Sequence, residues 1–300
     1  MTRRHFISTV STGAGMVLIG ANSGLLSYDN AQKTFDPFQK ISLGKTGIKT
    51  TLLGMGTGYS GYNGTSAITR AGVAERMIRA AYERGIRFFD CADSYGTHPF
   101  VAAALKGIPR DKYVLSSKIW LTEGGIPEEN KAEADATVER FRKELNTDYL
   151  DLVQIHCMTD ANWTVRFRKQ MDILENLKSK GIIHAHGVSV HSLEALEAAA
   201  ASPWVDVVHV RLNPYGDTMD KKDPGLILPV VDKMHKAGKG VIAMKLIGNG
   251  HFRNDPQKID SSLDFVLNSG AADMIIVGFE QPEQIDNYTG RIKSTVRKRV

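Results

Sequence analysis

From about residue 38 onward, short apolar runs alternate with longer amphipathic stretches, and the two periods separate cleanly. Near-continuous apolar or small residues occupy 51–56, 86–91, 113–119, 149–156, 185–190, 205–213, 240–246 and 274–278. Between them the spacing is helical. Ala134, Val138, Phe141 and Leu145 fall on one face, and Phe167, Met171, Leu174 and Leu177 repeat the pattern. Runs such as 150–155 lack polar alternation, as expected of parallel strands covered by helices. Ahead of the first run, 41–43 and 48–50 flank the turn Gly44-Lys45-Thr46-Gly47, which predicts a hairpin. About eight strand-then-helix units predict an α/β fold, a (β/α)8 TIM barrel with a short N-terminal β-hairpin. An open doubly wound sheet would carry Gly-x-Gly-x-x-Gly at its first strand-helix turn. Gly54-Met55-Gly56-Thr57-Gly58 does not have that spacing. No low-complexity linker interrupts the body, so 38–300 reads as a single domain.

Composition narrows this picture only a little. With 42% hydrophobic and 24% charged residues, the chain is neither disordered nor fibrous. The net charge of +5 includes Arg291, Lys293, Arg297, Lys298 and Arg299 near the C-terminus. Because no aromatic residues interleave them, they read as a solvated tail rather than a nucleic-acid surface. Cys91 and Cys157 each follow a polar residue at a strand end, so side-chain alternation predicts two free thiols pointing away from the barrel axis. The opening Met1-Thr2-Arg3-Arg4-His5-Phe6-Ile7, followed by an apolar, Gly- and Ser-rich stretch, has the layout of a secretory leader over 1–30. Thr-Arg-Arg-x-Phe-Ile resembles a twin-arginine motif. It implies a twin-arginine export partner and a periplasmic or exported location, with cytoplasmic retention as the alternative.

In a barrel, chemistry collects at the C-terminal ends of the strands. Those ends carry Asp90, Lys118, His156, Ser189, Asn213 and Lys245, with Tyr95 on the loop after Asp90. Phe89-Asp90-Cys91-Ala92-Asp93-Ser94-Tyr95-Gly96 resembles the aldo-keto reductase signature around its Asp and Tyr. Ser116-Ser117-Lys118-Ile119-Trp120 is similar to the segment bearing the family's Lys, and Asp148-Tyr149-Leu150-Asp151-Leu152-Val153-Gln154-Ile155-His156 to the segment bearing its His. Gly187-Val188-Ser189, Asn213-Pro214 and 240–245 match later landmarks in order, so the resemblance runs from about Ile41 to Asn287. It implies an oxidoreductase that interconverts an aldehyde or ketone and an alcohol by hydride transfer. Tyr95 would be the proton donor, Lys118 would lower the phenol's pKa, Asp90 would hold Lys118 charged, and His156 would bind the carbonyl oxygen. A barrel that binds cofactor as a sensor or partner subunit, with little turnover, is the second reading.

The same resemblance implies a nicotinamide cofactor, NADP by family default with NAD open. Expected contacts are Gly56, Thr57, Ser189, His209, Asn213, Met244, Lys245, Gln284 and Asn287. Val190 and His209 stand where the family has Asn and Gln, and 278–287 lacks the Lys and Arg that would meet a 2′-phosphate. Tyr59 and Trp120 are candidates for the substrate wall. The expected ligand is a small carbonyl or alcohol, with no nucleic acid, and the expected state is a monomer. A metal-dependent hydrolase would need clustered ligands. His184 and His186 lie at the start of their strand, away from the chemical end, so no metal site is expected.

Overall fold

A computed structural model describes residues 33–58, 62 and 65–298, and the proposed leader and Tyr59 lie outside these. A hairpin comes first: β1 (Lys40–Ser42) pairs antiparallel with β2 (Lys49–Thr51). Eight parallel strands then close a barrel in the order β10-β3-β4-β5-β6-β7-β8-β9. They are β3 (Leu53–Gly56), β4 (Phe88–Asp90), β5 (Val114–Ile119), β6 (Leu150–Met158), β7 (Ile183–Val190), β8 (Val207–Arg211), β9 (Gly240–Met244) and β10 (Met274–Val277). The helices around them are α1 (Ala67–Arg70), α2 (Ala74–Glu83), α3 (His98–Ala104), α4 (Ala134–Leu145), α5 (Trp163–Arg166), α6 (Arg168–Ser179), α7 (Leu193–Ala201), α8 (Pro224–Lys236), α9 (Pro256–Asn268) and α10 (Pro282–Ser294).

Strand alternation divides the core in two. Phe88, Val114, Leu152, Ala185, Val207, Ile242, Met244, Met274 and Ile276 fill the barrel interior, joined by Leu43 and Ile48 of the hairpin. Phe89, Leu115, Val153, Val188, Val208, Ala243 and Ile275 face the helices and form the larger outer core. Because successive side chains point to opposite faces, interior parity carried along each strand delivers Asp90, Lys118, His156, Ser189, His209 and Arg211 to the upper interior.

Residues 296–298 are docked rather than free. Val296 bridges Thr34, the Arg297 amide donates to the Lys33 carbonyl (2.8 Å), and its guanidinium lies 4.3 Å from the Phe35 ring centroid. Lys298 pairs with Asp264 at 2.5 Å. Arg297, expected in a solvated tail, thus closes onto the segment that enters the barrel, where its guanidinium covers Phe35.

Candidate active site at the barrel mouth

The centre of the mouth is a buried ion pair. Lys118 Nζ donates to Asp90 Oδ1 at 2.5 Å and to the Cys91 carbonyl at 2.8 Å, with both residues almost fully buried. Burial alone would raise the Asp90 carboxyl, but Lys118 and then His209 outweigh it and hold it far below the usual carboxylate range. His209 is fully buried, with Nε2 3.3 Å from Asp90 Oδ1. Among the described residues neither of its ring nitrogens meets hydrogen-bond geometry, so the contact is close but poorly aligned.

Tyr95 ends a 3-10 turn, Asp93–Tyr95, that follows β4, and Gly96 after it is left-handed (φ 64°). Its ring stands edge-on to His156, centroids 5.8 Å apart, and Lys118 Nζ lies 5.4 Å from its ring centroid. Trp120 meets His156 from another side, centroids 5.0 Å apart. Asp90, Tyr95, Lys118 and His156, distant in sequence, therefore converge on one spot. The expectation that Lys118 lowers the phenol's pKa is corrected: burial first, then the Asp90 carboxylate, push Tyr95 well above its ordinary value. The ammonium is committed to Asp90 and the Cys91 carbonyl, so the phenol keeps its proton. His156 is held well below its ordinary value by burial and by Lys118, and is neutral. Its Nδ1 and Trp120 Nε1 are buried without hydrogen-bond partners among the described residues.

A second layer that sequence reading missed braces these groups. His98, on α3, links Ser117 (Nε2 to Oγ, 2.9 Å) to Glu144 (Nδ1 to Oε2, 2.6 Å), while Arg140 bridges Asp93 (2.7 Å) and Glu144 (3.1 Å). It joins the turn carrying Tyr95 to the strand carrying Lys118. His98 three residues beyond Tyr95 was the available signal, but its partners on α4 were not. Two glycines give clearance. A Cβ on Gly58 would sit 2.3 Å from Tyr95 Cγ, and one on Gly125 (φ 71°) 2.0 Å from the Trp120 ring.

Several expected cofactor contacts are occupied elsewhere. Thr57 Oγ1 donates to the Asp90 carbonyl at 2.9 Å and is 2.8 Å from Thr97 Oγ1, so it locks the Asp90 backbone. Asn213 is fully buried; its Nδ2 donates to the carbonyls of Asp217 (2.8 Å) and Lys245 (3.2 Å), and its Oδ1 accepts from the Tyr215 amide (3.0 Å). It clamps the loop after β8 instead of facing the mouth. His209 lies beneath the mouth against Asp90, not at its surface. Gln284 Oε1 accepts from the amides of Glu280 (2.7 Å) and Gln281 (3.3 Å), capping α10, and Asn287 Oδ1 accepts from Arg291 Nε (2.7 Å) on the exposed face. Gly56, Ser189, Met244 and Lys245 remain at the mouth. Ser189 Oγ accepts from the Cys157 amide at 2.8 Å. That contact exposes another correction. The register shifts between Ile155 and Met158, and Cys157 is left-handed (φ 63°). This bulge breaks the alternation that predicted an outward thiol, bringing Cys157 Sγ to 3.1 Å from His191 Nδ1. Cys91, by contrast, does face the outer core, and both thiols are free.

A family model described as the Aldo/keto reductase family matches residues 52–263. The chain belongs to the aldo/keto reductase family. Curated relatives include aldo-keto reductase YhdN of Bacillus subtilis, 31% identical over 184 residues, which cover 58% of this chain and 53% of that protein. Aldo-keto reductase family 1 member A1 of Rattus norvegicus is 27% identical, over 57% of this chain and 56% of its own length. The chain thus spans about half the length of these curated aldo-keto reductases. Among solved folds, the holo form of aldo-keto reductase AKR11C1 from Bacillus halodurans superposes with a TM-score of 0.67 at 19% identity, covering 87% of this chain and 93% of that one. That likeness concerns the barrel alone. Among the described residues of this aldo-keto reductase, no group of three or more His, Cys, Asp or Glu is placed to hold a metal ion.

Proposed function

We propose that this family member is a nicotinamide-dependent oxidoreductase that interconverts a small aldehyde or ketone and the corresponding alcohol. The observation that carries the reading is the buried Lys118–Asp90 pair beneath Tyr95, with His156 edge-on to the phenol ring. The mouth also fits the cofactor. Gly56 and Gly278, at neighbouring strand ends, form a strip without side chains, where a Cβ on Gly278 would lie 3.7 Å from the Gly56 carbonyl oxygen. Gly56, Ser189 and Met244 would hold the nicotinamide side. When bound, the nicotinamide supplies or accepts the hydride.

The chain's own part follows from its charges. Tyr95, held protonated, donates to the carbonyl oxygen as negative charge grows there. Lys118, bonded to Asp90 and the Cys91 carbonyl, fixes the floor on which the phenol stands. A neutral His156 donates an N–H to the same oxygen, its tautomer set by the carbonyl it meets. Trp120 walls the substrate side. Each donor is worth about 10²–10⁴ in rate. Tyr95→Phe should abolish carbonyl reduction while leaving NADPH binding intact by dihydronicotinamide fluorescence; unchanged turnover overturns the assignment.

The proposed cofactor is NADP, with paired NADPH and NADH titrations as the check, since 278–287 contains no Lys or Arg. The committed side chain of Asn213 and the sunken position of His209 favour a second reading, a cofactor-binding barrel with little turnover, which steady NADPH oxidation with a carbonyl panel would exclude. We also propose a monomer, exported behind 1–30 by the twin-arginine route. Replacing Arg3 and Arg4 with Lys should keep it in the cytoplasm.

A further inference from the structure

Three residues beyond Tyr95, His98 opens α3 with a buried imidazole whose hydrogen bonds reach none of the reacting groups. It is 2% exposed and stands edge-on to Phe141, centroids 4.7 Å apart. Burying an imidazole is costly unless both nitrogens find partners, and here both do, Glu144 at Nδ1 and Ser117 at Nε2. Burial would raise the Glu144 carboxyl, but His98 and then Arg140 outweigh it and hold it below its ordinary value. A carboxylate only accepts, so Nδ1 carries a proton and Nε2 is left to the Ser117 hydroxyl. Ser117 is fully buried and directly precedes Lys118 on β5. By alternation its side chain points outward where that of Lys118 points inward.

The residues around His98 fasten the same segment from other sides. Thr97 Oγ1 lies 2.8 Å from Thr57 Oγ1, at the end of β3. Asp93 accepts from Arg140 on α4 at 2.7 Å. The segment 93–98 is therefore anchored to β3, α4 and β5, with Tyr95 in the span between the anchors. Of these three anchors, that of His98 is the one on the strand bearing Lys118.

We infer that His98 is a positioning residue for carbonyl reduction: its bond to Ser117 sets the turn carrying Tyr95 against the strand carrying Lys118, and so aims the phenol at the reacting oxygen. This rests on the reductase reading above. No bond of His98 enters the mouth, so its effect passes through Tyr95 alone.

The experiment follows kcat, KM and NADPH affinity in His98 variants. His98→Ala should lower kcat by about 10–100-fold, the effect of misplacing a reacting group by about 1 Å, while KM and the NADPH dissociation constant hold. His98→Gln, whose amide still reaches Ser117, should recover most of the rate. His98→Asn, which reaches only Glu144, should not. Ser117→Ala removes the same anchor with less change to the core and should reproduce the loss in kcat. A lowered Tm with kcat unchanged in His98→Ala and Ser117→Ala overturns the proposal, as does a loss that falls on NADPH binding or equal rates in the Gln and Asn variants.

The phenol itself gives a readout free of turnover. Burial first, then the Asp90 carboxylate and the Cys91 and Cys157 thiols, hold Tyr95 well above its ordinary value, with Lys118 and His156 also facing its ring. A slackened turn admits water, so the phenol's pKa falls and phenolate forms at lower pH. Ultraviolet difference spectra against Tyr95→Phe counterparts isolate this signal from the other tyrosines. If no carbonyl is reduced but phenolate forms at lower pH in His98→Ala and Ser117→Ala than in wild type, the placing of Tyr95 by His98 stands and the reductase reading fails. If neither variant moves the titration, the positioning role fails.

Discussion

The two ends of the barrel treat their buried and half-buried carboxylates in opposite ways. At the bottom, Asp151, Asp206 and Asp273 stand at or just before the starts of β6, β8 and β10, and each ties a cation or imidazole to backbone amides. Asp151 accepts from the Leu115 amide (2.8 Å) and Arg110 (2.6 Å). Asp206 accepts from the His186 amide (3.2 Å) and Lys178 (2.5 Å), and Asp273 from the Val241 and Gly44 amides (2.8 and 3.2 Å) and lies 3.0 Å from His235 Nε2. Such groups fasten neighbouring strands together. At the mouth, Asp90 has no backbone donor among the described residues and relies on Lys118 and His209. Around it His156 Nδ1, Trp120 Nε1 and the His209 nitrogens stay without hydrogen bonds. Buried polar groups are costly when left open; among the described residues such atoms gather around Asp90, whereas the bottom trio leaves His186 Nδ1 beside Asp206.

The contrast breaks most sharply at Lys118. Lys118→Met should lower kcat by about 10³-fold or more and cost about 3–5 kcal/mol of stability, because it strands a buried carboxylate. Adding Asp90→Asn should restore most of the stability and none of the activity, measured by urea unfolding and NADPH oxidation. At the bottom, Asp273→Ala should cost about 1–3 kcal/mol by orphaning two amides, with kcat unchanged; a loss of activity without a loss of stability would erase the distinction between the two ends. The smallest effect belongs to His209→Leu. Removing a donor near Asp90 weakens what holds that carboxyl below its usual range, so its pKa rises. Activity is then lost from the acid side at higher pH than in wild type. We expect about a tenfold drop in kcat with that shifted acid limb and unchanged NADPH affinity. A rise in the NADPH dissociation constant with an unmoved pH profile would instead return His209 to the nicotinamide.

The barrel was legible because each strand run is apolar on both faces and each helix on one, so period alone separates them. The convergence of Asp90, Tyr95, Lys118 and His156 was legible because they lie at strand ends, or on the turn just after one, within long contiguous motifs. His98, Arg140 and Glu144 were not, since a bracing network is defined by which helix packs beside which strand. The reach of Cys157 toward His191 was hidden for a related reason: alternation holds only while the register is unbroken, and one left-handed residue reverses it.

Local chemistry in the chain therefore determined the order of elements, the layer of each strand residue up to the bulge at Cys157, and which ionisable groups sit at the chemical end. Tertiary packing decided what those groups do for one another. It turned Asn213 and Thr57 into clamps, lowered His209 beneath the mouth, and set Arg211 and Lys245 on adjacent strand ends, because a side chain's partner and its solvation depend on neighbours from other elements as much as on its own type.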